Sequence, residues 1–212
     1  MPCTLPASLA DAAVCRGSFH AVLGGEAGEA VFADFSAALQ KAQAEGRILT
    51  ASLFRYENHL FFYAEGLNRP FTPQGLCPAL DAALLPWPPA LGETAPRPWA
   101  AMQPYFYHDV PTTAADWQQG RCPQRRRGRI ALLPPDKWCS YMEHHLRIVT
   151  EGLVEGDRWH LICVQEGVLF SYLEEPRTNV NIKHRPGAHS PELDAWIAAD
   201  PESHFARFTP EQ

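Results

Sequence analysis

Apolar and polar positions follow two periods along this chain, and the same succession of periods occurs in each half. A short strand opens each: Ser18-Phe19-His20-Ala21-Val22-Leu23 in the first, Arg129-Ile130-Ala131-Leu132-Leu133 in the second. A helical pattern follows. Val31, Phe32, Phe35, Leu39 and Ala42 recur at helical spacing and predict one apolar stripe on a helix over about Gly28 to Ala44. In the second half Asp136, after Pro134-Pro135, is a suitable N-cap. Trp138, Tyr141, His145, Ile148 and Val149 continue that helix, and Gly152 or Gly156 ends it.

Alternating strand patterns come next. Residues 46–54 lead through the polar turn Tyr56-Glu57-Asn58 to Leu60-Phe61-Phe62-Tyr63-Ala64-Glu65. Residues 156–164 lead through Gln165-Glu166-Gly167 to Val168-Leu169-Phe170-Ser171-Tyr172-Leu173-Glu174. Both pairs read as short hairpins, and an LF-x-Y-x-E pattern lies over itself between the halves. The segment 104–109 reads as a strand closing the first sheet.

The chain therefore reads as α+β, with two ferredoxin-like β-α-β-β modules, 1–111 and 129–212, joined by a linker over 112–128. A β-α-β-β module covers one sheet face with its helix and leaves the other open. Two such sheets face to face would close that surface, which predicts a dimeric α/β barrel made within one chain. The expected state is a monomer with an intrachain pseudo-dimer, open to further self-association.

Composition narrows the class. Hydrophobic residues make up 46% and charged residues 20% of 212, ordinary for a globular chain with a core. A net charge of −6 argues against a nucleic-acid groove. The basic run Arg125, Arg126, Arg127 and Arg129 reads as a solvated linker or strand edge. No apolar run reaches the roughly 18 residues of a membrane span. The N-terminus has no basic start followed by an apolar stretch, so a cytoplasmic location is expected. The six cysteines are scattered with no CxxC pair, as in free thiols. Most of the 20 prolines lie between 70 and 123, which predicts long loops there. The segments 70–98 and 176–190 read as surface loops or lids.

Pro135-Asp136, Tyr141-x-x-x-His145, Gly156 and the hairpin through Leu169-Phe170 occur in an order that resembles the L-rhamnose mutarotase family. Members of that family are small dimeric α/β barrels. The resemblance covers roughly residues 129–175. It implies an enzyme interconverting α and β anomers of a monosaccharide, with His145 as proton donor, Tyr141 binding sugar, and no cofactor. A family Tyr is replaced here by His160. The family's Trp pair before a Met survives partly as Pro98-Trp99-Ala100-Ala101-Met102, and the second half has only Trp196. Phe32 and Ser36 stand where the first copy would carry Tyr and His, so at most one site per chain is expected.

The chemistry suits these groups. Mutarotation needs one proton given to the ring oxygen and one taken from the anomeric hydroxyl. An imidazole has an ordinary pKa of about 6.5 and can do either. Positions i and i+4 of a helix share a face, so Tyr141 and His145 can reach one cavity. Trp99, Trp159, Trp196 and Tyr172 are candidate walls for a sugar's apolar side. A structural role competes for each. Tyr141 and His145 can be the edge of a packed helix, His160 a core or sheet-edge residue, and Trp99 a loop anchor. His144 is expected in solvent. His108 and Asp109, adjacent on a strand, point to opposite faces. No metal site is predicted: His144, His145, His184 and His189 form no convincing ligand set with nearby carboxylates. A non-catalytic sugar-binding module, and a cofactor-free monooxygenase or haem-type barrel, are the competing functions.

Overall fold

The computed structural model describes residues 5–152, 154–155, 157–176, 181–182, 191–200, 204 and 206–207. It divides into two units, one of residues 1–102 and 111–122, the other of 103–110 and 123–212. Both are mixed α+β with antiparallel sheets.

The first unit runs β1 (Val14–Val22), α1 (Glu29–Ala44), β2 (Ile48–Tyr56), β3 (His59–Leu67), α2 (Pro78–Ala82), the start of β4 (Ala100–Phe106) and α3 (Ala114–Gln118). Its strands lie in the order β4-β1-β3-β2. The predicted stripe of α1 meets the sheet: Phe35 and Ala42 are buried with Leu60, Phe62 and Ala64, and Val31, Phe32 and Leu39 pack beside them. Gly46, at φ 68°, ends α1, and the N–H of Arg47 closes on the Ala42 carbonyl.

The second unit begins with the rest of β4. It continues through β5 (Arg125–Leu132), α4 (Trp138–Thr150), β6 (Val154–Glu155), β7 (Leu161–Gln165), β8 (Val168–Glu175), β9 (Asn181–Ile182), α5 (Pro191–Ala198) and β10 (Ala206–Arg207). Its strand order is β10-β5-β8-β7, with residues 103–106 of β4 along β7. Tyr141 packs with Leu133, Val164 and Leu169, and Ile148 with Phe106 and Ile162, so the α4 stripe also faces its sheet.

The two units share features of register. Arg16 lies opposite Glu65 across β1 and β3, and Arg126 lies opposite Glu174 across β5 and β8. Both hairpins turn on two residues, with φ 52° at Glu57 and 47° at Glu166. In each unit the phenol two residues before the glutamate donates to it at 2.6 Å.

Several expectations differ from the structure. Asp136 does not cap α4: it lies in a 3-10 turn over Pro135–Lys137, and the helix starts at Trp138 with no side-chain cap. The segment 112–128 is no free linker. Thr113 caps α3, Trp117 is fully buried, and Arg125–Gly128 belong to β5. The strand expected over 104–109 starts at Ala100, and only its residues 100–102 pair with β1. The strand expected from 156 starts at Leu161, because Asp157, Arg158, Trp159 and His160 form a turn closed by His160 N–H to Asp157 O. The Pro-rich 70–98 stretch contains α2 and is pinned by bridges Leu23–Leu84 and Trp87–Arg97. Apart from Pro176 and the short β9, the 176–190 segment lies outside the described residues. No helix among the described residues is long and apolar enough to cross a membrane.

Candidate functional site

Helix α4 carries Tyr141 and His145 one turn apart, and both face the sheet. Tyr141 is 6% exposed and His145 7%. Their ring centroids are 4.2 Å apart. The Nδ1 of His145 lies 2.8 Å from the Tyr141 carbonyl oxygen. A carbonyl only accepts, so Nδ1 carries the proton and Nε2 is the basic nitrogen. Burial, with smaller contributions from His144 and His204 and opposed by this hydrogen bond, lowers the His145 pKa to about 4. The imidazole is neutral at pH 7.

Strand β4 supplies the rest of the enclosure. Tyr105 and Phe106 meet the His145 ring edge-on at 5.7 and 5.2 Å. Tyr105 also packs on Tyr141 at 5.9 Å. Its hydroxyl is buried and lies close to the Tyr141 phenol. Burial first, and then the Tyr141 phenol, raise its pKa. Sequence reasoning assigned Tyr105 only to a strand. Its alternation with apolar neighbours carries no sign that the residue would meet His145.

His160 is 8% exposed and also packs on Phe106, with ring centroids 5.5 Å apart. It is thus grouped with His145 through a shared aromatic neighbour. Trp159, beside it in the turn, is partly buried, and its N–H points to Asp157 Oδ1 at 3.4 Å. His144 is partly buried, not in open solvent. Its ring stands edge-on to His204, whose Nε2 lies 3.2 Å from Ser140 Oγ.

Other predicted wall residues lie elsewhere. Tyr172 and Leu169 are on opposite faces of β8 because strand side chains alternate. Leu169 packs with Tyr141, so Tyr172 points away from the α4 face, and its hydroxyl is bonded to Glu174. Trp99 belongs to the first unit's core. It stacks on Phe35 at 6.2 Å and donates its indole N–H to Asp81 Oδ1 at 2.9 Å. The backbone of Trp196 lies in α5. His108 is exposed, while Asp109 pairs with Arg158 at 2.9 Å. His184 and His189 lie outside the described residues. Among the described residues, no three or more His, Cys, Asp or Glu side chains are grouped to hold a metal ion.

In the first unit Ser36 is exposed and Phe32 packs under the Arg55 guanidinium, so α1 has no comparable pair. The imidazoles there meet through the sheet instead: His20 Nε2 and His59 Nδ1 are 2.9 Å apart, with His20 stacked on Phe61. Burial lowers the His59 pKa against the opposing charge of Glu57.

Comparison with protein-family models, curated proteins and solved structures finds no match to this chain.

Proposed function

We propose that the second unit is an acid–base catalyst of mutarotase type, interconverting the α and β anomers of a monosaccharide, with L-rhamnose-like deoxy sugars the first substrates to test. The supporting observation is the buried Tyr141–His145 pair with its imidazole tautomer fixed by the Tyr141 carbonyl. The duplication of a ferredoxin-like module belongs to the same reading. Its support is the common strand order and the common Arg–Glu register of the two units.

Ring opening removes a proton from the anomeric hydroxyl as the ring carbon–oxygen bond breaks, and the departing oxygen takes one up. The aldehyde then rotates and closes on its other face. No electrons are exchanged. A neutral His145 takes the anomeric proton at Nε2. This reverses the donor role that the family resemblance implies. With a pKa near 4, only about one imidazole in a thousand is protonated at pH 7. The proton for the ring oxygen comes from a phenol, Tyr141 or Tyr105. A phenol is a weak acid, so this transfer accompanies bond breaking, as the oxygen becomes strongly basic.

Saturation-transfer NMR of anomer exchange over a panel of reducing sugars tests the proposal. Exchange faster than in buffer, lost in His145→Ala, is expected. No enhancement with any sugar, or full activity in that variant, would remove it. The enclosure of His145 favours a second reading, a module that binds a small ligand without turning it over. Thermal stabilisation by sugars without anomer exchange would select that reading.

A further inference from the structure

The first unit contains a cleft of about 570 Å³, within the size range of small-ligand sites. Three cationic side chains line it: Lys41 from the last turn of α1, Arg47 just after it, and Arg69 from the loop that follows β3. Glu45 is the one acidic lining residue, and it already lies 3.9 Å from Lys41 and 3.4 Å from Arg47. The nearby Asp81 is turned to the Gly75 N–H at 2.6 Å and to Trp99. The cleft thus has an excess of two positive charges in a chain whose net charge is −6.

Helix capping does not account for these cations. The carbonyls of Lys41, Ala42 and Gln43 accept backbone N–H groups from Glu45, Arg47 and Gly46. Three of the last four carbonyls of α1 are therefore satisfied by backbone, not by these side chains. Arg69 has no ion-pair or hydrogen-bond partner among the described residues.

The scaffold under the cations is fixed. Arg47 is held on both sides, its N–H on Ala42 and its carbonyl accepting from Leu67, and its guanidinium lies over the Phe71 ring at 5.3 Å. Asn68, at φ 62°, turns the loop and is bonded back to the Ala13 carbonyl. Gly66 lets the Arg69 carbonyl approach so closely that a Cβ there would collide with it. The rest of the lining mixes apolar Ala38, Pro70, Phe71 and Leu76 with Thr72, Gln74 and Gly75.

We propose that this cleft binds a small phosphorylated molecule, with the phosphate held by Lys41, Arg47 and Arg69 and a short organic body against Phe71 and Pro70. Guanidinium groups recognise phosphate oxygens by charge-assisted hydrogen bonds, and Thr72 and Gln74 add polar groups for hydroxyls of the organic body. The site lies wholly within the first unit and does not depend on the mutarotase reading.

Titration calorimetry of the full chain with glucose 6-phosphate, inorganic phosphate and glucose tests this. Glucose 6-phosphate should bind more tightly than inorganic phosphate, and glucose should give no heat assigned to this cleft. Arg69→Gln and Lys41→Gln, both at exposed positions, should each weaken the phosphorylated probe about ten-fold or more. Arg129→Gln, outside the cleft, should leave binding unchanged. Absence of binding by both phosphate probes at millimolar concentration would overturn the proposal. So would equal affinity in the wild-type chain and both cleft variants.

Discussion

Tyr63 donates its phenolic proton to Glu65 at 2.6 Å, and the same carboxylate receives both terminal nitrogens of Arg121 at 2.7 and 2.9 Å. Arg16 Nε completes the chain by donating to the Tyr63 oxygen at 3.0 Å. The side chains of Glu65 and Arg121 are 0% and 2% exposed. Removing one member of such a pair leaves the other charge uncompensated in the interior. Glu65→Gln should therefore cost about 3 kcal/mol by urea unfolding. The counterpart in the second unit should behave differently. Arg126 is 40% exposed and 3.5 Å from Glu174, so Arg126→Gln removes a contact that solvent already screens. A loss of at most about 1 kcal/mol is expected there. Equal losses at the two positions would contradict this account.

Burial by itself would raise the Glu65 pKa, but Arg121 and Arg16 outweigh it and hold the carboxyl below its ordinary range. This stabilisation is present above the unfolded-state pKa and fades as pH falls through the folded one. His145 acts in the same direction over a higher window. Its folded pKa is about 4 against 6.5 for the free group. Between these values the unfolded chain binds more protons, so stability falls as pH drops from about 6.5 to 4. The full effect is on the order of 3 kcal/mol. Urea unfolding of wild type and His145→Gln from pH 4 to 7.5 checks it: the slope in this window should flatten in the variant. If anomer exchange is found, its acid limb should follow the low pKa, not 6.5.

Legibility in the sequence depended on the distance over which a signal acts. The α1 and α4 stripes and both hairpins were readable, because periodicity and turn residues are local. The Tyr-x-Glu repeat was readable as a pattern. Its partners were not: Arg121 reaches Glu65 across 56 positions, from a stretch whose polar composition suggested a linker. Tyr105 met His145 for the same reason, through a strand pairing that no local pattern encodes. The apolar neighbours of Trp159 and His160 continue the alternation and read as strand. Asp157 overrides it by holding the turn with its carbonyl and carboxylate. The spacing of Tyr141 and His145 predicted a shared face. It carried no information on the burial that makes the imidazole a base.

Trp99 separates a core role from a sugar-stacking one. Its ring packs on Phe35 and Phe62, and its indole N–H is bonded to Asp81. Trp99→Phe keeps most of the apolar volume and removes the donor. A loss of about 1–2 kcal/mol is expected from the uncompensated Asp81 oxygen and the lost ring volume. Anomer exchange, if present, should be unchanged at a temperature where the variant is folded. A selective rise in sugar KM with unchanged stability would instead put this ring at the ligand.

Gly66 makes the loop after β3 possible. A methyl group added there would overlap the Arg69 carbonyl and stand 3.0 Å from the Phe71 nitrogen. Both obstacles are backbone, so no flexible side chain can swing away to relieve them. The loop must instead lift from β3, and overpacking of this kind typically costs about 1–3 kcal/mol. Gly66→Ala should show that loss in urea unfolding, with amide shift changes concentrated over residues 66–72. Because the lifted loop carries Arg69 and Phe71, the same variant should bind glucose 6-phosphate more weakly even under conditions where it is fully folded. Gly25→Ala is the control, since a Cβ at that position meets nothing within 4 Å. A Gly66→Ala protein as stable as wild type would show that the close approach of β3 and this loop does not hold the cleft in shape.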